Sequence, residues 1–187
     1  MRLQADAFEW ATDGANETLT ATDTLILNAP IFTVDPGKTQ YLRFGLRKPA
    51  PGVAEKAFRI MIEEVPTATP VLAGIHTLVR VSLPVFFAPM ESQERLNWSI
   101  THRGDHSPDS TLEVRNDGNV HLKLHALRLL LGNSDQVVLS AGLTYVLPGQ
   151  VQRWELPPST TAAQHTYRLQ LSTEDGSTER LLHSQPR

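Results

Sequence analysis

The sequence predicts an all-β chain folded as two sandwiches in tandem. Apolar and polar residues alternate with a period of two in short runs, while helical periodicity is weak throughout. Turn signals separate the runs, among them Asp35-Pro36-Gly37, Asn116-Asp117-Gly118-Asn119, Pro148-Gly149 and Asp175-Gly176. The length of 187 residues suits two Ig-like sandwiches of about a hundred residues each. After Pro89 the composition shifts, and Met90 to Arg95 is polar and charged, a plausible linker. The expected domains are therefore 1–89 and 90–187.

In chain order, Leu3, Ala5 and Ala7 alternate with Gln4, Asp6 and Phe8, a strand that starts almost at the first residue. Asp13-Gly14 is a turn signal, Thr24 to Leu27 a short strand, and Asn28-Ala29-Pro30 breaks it. Ile31 to Val34 is extended and runs into Asp35-Pro36-Gly37, where proline sets φ and glycine supplies the positive φ that follows. Leu42, Phe44 and Leu46 form the next alternating set, and Phe58, Ile60 and Ile62 another, ending at Glu63-Glu64-Val65-Pro66. In the second half, Trp98 and Ile100 begin a strand, His102 to Ser110 is a polar turn and Thr111 to Val114 a strand. Asn116 to Asn119 reads as the strongest hairpin signal in the chain, after which Val120, Leu122 and Leu124 face a core while His121, Lys123 and His125 face water. Leu127 to Leu131, Val137 to Leu139, Leu143 to Val146, Val151 to Leu156, Tyr167 to Leu171 and Glu179 to Leu182 complete the strands.

The long stretch from Val71 to Pro89 stands apart. It alternates, with Ile75, Thr77, Val79, Val81, Leu83 and Val85 on one face and His76, Leu78, Arg80, Ser82, Pro84 and Phe86 on the other. Pro84 cannot donate to a ladder, so this strand is expected at a sheet edge over part of its length. A long apolar edge is a liability that proteins usually blunt. Left open, it is a template on which another chain adds a strand.

Composition excludes several classes. Cysteine is absent, which removes thiolate catalysis, cysteine-based zinc sites and disulfides. The net charge of −3 and the scattered basic residues give no reason to expect nucleic acid. The first ten residues lack an export core, and no run approaches the roughly 20 apolar residues of a membrane span. No nucleophile frame, phosphate loop or dinucleotide fingerprint occurs, so no catalytic residue, metal ligand set or cofactor is expected.

Taken together, three ordered segments resemble the periplasmic chaperones of the chaperone–usher pilus pathway. They are Ala29-Pro30-Ile31-Phe32-Thr33-Val34-Asp35-Pro36-Gly37 with Arg43 beyond, Phe58-Arg59-Ile60-Met61-Ile62-Glu63-Glu64-Val65-Pro66, and Ser82-Leu83-Pro84-Val85-Phe86-Phe87-Ala88-Pro89. The last is closer to the spore-coat-type branch. Asn116 to His121 and Tyr145 to Gln150 through Trp154 extend the likeness over nearly the whole chain. The resemblance implies a non-enzymatic, periplasmic assembly chaperone. It would bind, fold and cap pilus subunits by donor-strand complementation and deliver them to an outer-membrane usher. By the same resemblance Ile75, Thr77, Val79, Val81 and Leu83 are donor residues, Arg80 is a candidate carboxylate anchor, and Glu64 and Arg43 are interdomain or structural residues. Members of this family carry a signal peptide and two further strands before the one at Leu3 to Trp10, so the first domain is expected to be incomplete at its N-terminus.

Other constellations have plainer readings. Adjacent Glu63 and Glu64 point to opposite faces and do not share an acid/base site. His102-Arg103-Gly104-Asp105-His106 holds two histidines, a carboxylate and an Arg-Gly-Asp tripeptide. Displayed on a loop, it supports an alternative reading as an Ig-like adhesin or carbohydrate-binding module. His121 and His125 lie about 13 Å apart on a strand, too far for one metal.

Overall fold

The computed structural model describes residues 1–13, 16–48, 52–66, 77–102, 110–157 and 166–186. All regular elements among them are strands. The chain divides into two compact units, one of Met1–Ala11, Glu17–Gly52 and Lys56–Ala88, the other of Thr12–Asn16, Val53–Glu55 and Pro89–Arg187.

In the first unit, β1 (Arg2–Asp13) lies between β2 (Asn16–Ala21) and β6 (Lys56–Glu64), β7 (Arg80–Phe87) adds to β6, and β4 (Ile31–Thr33) also pairs with β1. A separate two-stranded sheet joins β3 (Leu25–Asn28) to β5 (Arg43–Leu46). The period-two pattern becomes the core directly: Ala5, Leu25, Phe58 and Ile60 are buried together, with Ala7, Leu27, Phe32, Leu42, Leu46, Ile62, Val85 and Phe87 packed against them. The turn at Asp35-Pro36-Gly37 forms as its residues dictate, with Gly37 at φ 72° and the Lys38 N–H donating to the Asp35 carbonyl at 3.0 Å. Of the long run expected from Val71 to Pro89, the described residues form β7 over Arg80–Phe87, paired with β6 up to Glu63. Residues 67–76, including Ile75, lie outside the described residues.

The second unit is built on β8 (Leu96–His102), β9 (Ser110–Asn116), β10 (Leu122–Leu131), β11 (Val137–Ala141), β12 (Thr144–Val146), β13 (Val151–Leu156), β14 (Thr166–Thr173) and β15 (Gly176–Pro186). The order is β11-β10-β14-β15-β8-β9-β13, with β12 on β10. β15 joins the two halves: it runs antiparallel to β14, then pairs in parallel with β8 through Ser184, Gln185 and Pro186. Between the halves lie Ile100, Leu112, Leu124, Leu127, Leu129, Leu156, Tyr167, Leu169 and Leu171. Trp98 and Trp154 stack nearly parallel against this core, their centroids 6.1 Å apart.

Two expectations are corrected here. Asn116 to Asn119 is not a hairpin turn: β9 pairs with β8 and β13, whereas β10 pairs with β11, β12 and β14. The side chains serve a different purpose. Buried Asn116 donates through Nδ2 to the carbonyls of Val120 (2.8 Å) and Val146 (2.9 Å), while its Oδ1 accepts from the Gly118 N–H. Asn119 accepts from the Gln93 N–H and donates to the carbonyls of Val53 and Glu91. Gly118 is required because a Cβ there would sit 2.3 Å from the Gln93 carbonyl oxygen. The polar segment read as a linker is thus tied into the second unit. His121, expected to face water, is mostly buried instead, with Nδ1 2.8 Å from the Glu55 carboxylate, itself only 4% exposed. A carboxylate held that deeply needs a hydrogen-bond partner, and the imidazole supplies it.

Candidate functional site

The site is the outer margin of β7. Among the described residues this strand pairs with β6 alone, in the register Glu63↔Arg80, Ile62↔Val81, Met61↔Ser82, Ile60↔Leu83 and Arg59↔Pro84. In an antiparallel pair, opposed residues alternate between exchanging both main-chain bonds and exchanging none. The Glu64 N–H donates to the Val79 carbonyl at 2.9 Å, which sets the phase. Val81, Leu83 and Val85 therefore aim their main-chain groups at β6, and Arg80, Ser82 and Pro84 aim theirs away from it. The opposite side of the sheet keeps the same phase: the Val65 N–H donates to Arg2, and the Ala5 N–H turns outward to Pro30. Pro84 thus stands where its missing N–H leaves no β6 bond unmade.

The side chains divide the strand in two. Val79, Val81 and Leu83 share the inward-facing parity of Ile60 and Ile62, yet are 42%, 40% and 42% exposed. Val85 and Phe87, on the same face, pack into their own unit's core, Phe87 edge-on to Phe58. One half of the strand completes its own sandwich; the other presents uncovered aliphatic groups beside main-chain groups that are unpaired among the described residues. Thr77, also exposed, precedes the paired region. On the other face, Phe86 contacts Trp10 and the Arg59 guanidinium lies 3.8 Å over the Trp10 ring while its Nε binds Glu17 at 2.9 Å. These contacts fix the strand from behind.

The charged residues singled out in the sequence are also placed. Arg80 Nε lies 2.8 Å from Glu63 Oε1, a cross-strand pair with both side chains exposed, so this cation already has a carboxylate beside it. Glu64 points to the opposite face and its Oε2 accepts from the Val79 N–H at 3.4 Å, capping the point where β7 begins. Arg43 is exposed on β5. Ser82 was not singled out in the sequence, and its use lies in its main-chain groups; Pro84, two residues on and of the same parity, was the available signal.

Residues 103–109 of the adhesin-like loop lie outside the described residues. Among the described residues no group of three or more metal-ligating side chains occurs. Lys123 and Glu174 form an exposed ion pair at 2.5 Å. The hydrogen bond between them holds the lysine above, and the glutamate below, its ordinary pKa.

The family model described as pili and flagellar-assembly chaperone, PapD N-terminal domain, matches residues 3–93. Residues 3–93 are thus similar to the N-terminal domain of this chaperone family. Solved structures of such chaperones share its fold. A chain of the CsuC-CsuE chaperone-tip adhesion subunit pre-assembly complex, from archaic chaperone-usher Csu pili of Acinetobacter baumannii, is 19% identical with a TM-score of 0.68; the match covers 100% of this chain and 85% of that one. The Salmonella enterica SafA pilin–SafB chaperone complex gives 14% identity and a TM-score of 0.58 over 97% and 81% of the two chains. The E. coli chaperone DraB gives 15% and 0.57 over 100% and 82%. No curated protein sequence matches the chain. At these identities the likeness speaks for the fold, two Ig-like domains in tandem.

Proposed function

We propose that this chain is a chaperone that captures pilus subunits in the periplasm by donor-strand complementation and passes them to an outer-membrane usher. A subunit strand adds to the open edge of β7, and Thr77, Val79, Val81 and Leu83, with Ile75 before them, enter the subunit's own core. Main-chain bonds give affinity and alternate side chains give fit. Covering three aliphatic groups now about 40% exposed contributes roughly 1 kcal/mol each. The observation that carries the proposal is the coincidence of those side chains with main-chain groups that, among the described residues, lack a ladder partner on the same half-strand. Chaperones of known structure that resemble this chain have been crystallised with a tip adhesion subunit and with a pilin, which supports the choice of partner. Arg80, bound to Glu63 on an exposed face, accepts a subunit's terminal carboxylate by exchanging partners. The reading requires no catalytic group and no cofactor.

The test is capture of a pilus subunit co-expressed with this chain. Val81→Glu and Leu83→Glu are expected to abolish co-purification while leaving the fold intact. Leu181→Glu, at an exposed apolar residue of the second unit, is expected to leave capture unchanged. Full capture by Val81→Glu and Leu83→Glu would overturn the proposal.

A further inference from the structure

A guest strand pairs with an edge through donors and acceptors at alternate residues, whichever direction it runs. On β7 the outward positions are Arg80, Ser82, Pro84 and, beyond the proline, Phe86. Arg80 and Ser82 each present an N–H and a C=O; Pro84 presents only a C=O, and its ring occupies the place of the missing hydrogen. The side chains change use at the same point. Leu83 is the last exposed aliphatic residue on the inward face, and Val85 and Phe87 beyond it are committed to their own core.

We infer that Pro84 is a register stop: a guest strand, on the capture reading above, bonds to Arg80 and Ser82, and its ladder ends at Pro84. A guest that slides by two residues toward Phe87 brings a carbonyl against the proline ring, leaving it buried without a donor, and loses a bond at the other end. Only one register then sets the guest's pockets against Val79, Val81 and Leu83. Pro84 is in this sense a positioning residue that selects subunits whose pairing strand is short and whose pockets match those three side chains. It also caps the number of main-chain bonds, which keeps the bound subunit releasable.

Hydrogen exchange on the full chain tests this, with wild type, Pro84→Ala and Ser82→Pro each free and co-expressed with a pilus subunit that the wild type captures. In wild type the Arg80 and Ser82 amides are expected to become protected by the subunit. In Pro84→Ala the new residue-84 amide is expected to be protected as well, and the complex to dissociate roughly fivefold more slowly, the worth of about one net hydrogen bond. Ser82→Pro moves the stop two residues back without touching a β6 bond, and is expected to weaken capture at least as much as Pro84→Ala strengthens it. Protection at Arg80 and Ser82 with a freely exchanging residue-84 amide in Pro84→Ala overturns the stop and leaves capture standing. Undiminished capture by Ser82→Pro likewise overturns the stop. No protection at Arg80 or Ser82 overturns the capture reading itself.

Discussion

Asn116 shows how much one side chain organises. It is buried, and its amide satisfies two carbonyls and one N–H from two segments. Asn116→Ala leaves the Val120 and Val146 carbonyls without that donor and is expected to destabilise the second unit by about 2–4 kcal/mol in urea denaturation. Gly118→Ala is expected to destabilise the same unit, since its Cβ meets backbone rather than a side chain that can move. The four-residue signal was legible as a turn but not as this one, because hairpin chemistry and side-chain clamping use the same residues; only the partners of the flanking strands separate them. At the surface, Glu174 has its pKa lowered below the ordinary 4.5, chiefly by the hydrogen bond from Lys123. A depressed carboxylate contributes stability that is complete above its ordinary value and lost as pH falls through the folded value. The expected contribution is small and weakened by salt, since both groups are solvated. Comparing wild type with Glu174→Gln between pH 7 and pH 3 checks the sign: the difference should shrink as the solution is acidified.

β7 is one element with two uses, divided near Pro84. Substitutions on its inward face are therefore expected to have opposite consequences along its length. Val85→Ala opens space in the first unit's core and is expected to cost about 1–2 kcal/mol of stability with capture retained at low temperature. Val81→Ala removes a group that the free protein leaves 40% exposed, and is expected to cost less than about 0.5 kcal/mol of stability while weakening subunit capture several-fold. Denaturation and co-purification of the two variants side by side distinguish these outcomes. Alternation and Pro84 made the edge legible in the sequence. The division was not legible, since Val81 and Val85 are the same residue at the same parity, and only the extent of β6 and the opposing sheet decides which is covered.

Across the molecule, period-two runs and regular turns made the all-β class readable, and the order of several weak motifs made the family readable. The main-chain polarity of β7 was not, because it depends on register, which side-chain pattern alone does not phase. The two units differ in their cores: among the described residues the first buries Ala5, Leu25, Phe58 and Ile60 as its cluster, against the larger leucine-rich cluster of the second. The first is expected to unfold at lower denaturant, and a subunit bound to its edge should raise that transition and not the other. A single transition at one midpoint, unmoved by the subunit, would contradict this. The most direct measurement is a crystal structure of the chain with its pilus subunit. The account predicts a subunit strand bonded to the main chain of Arg80 and Ser82, with Val79, Val81 and Leu83 inside the subunit. A subunit seated on another surface, with the margin of β7 still facing solvent, would contradict it.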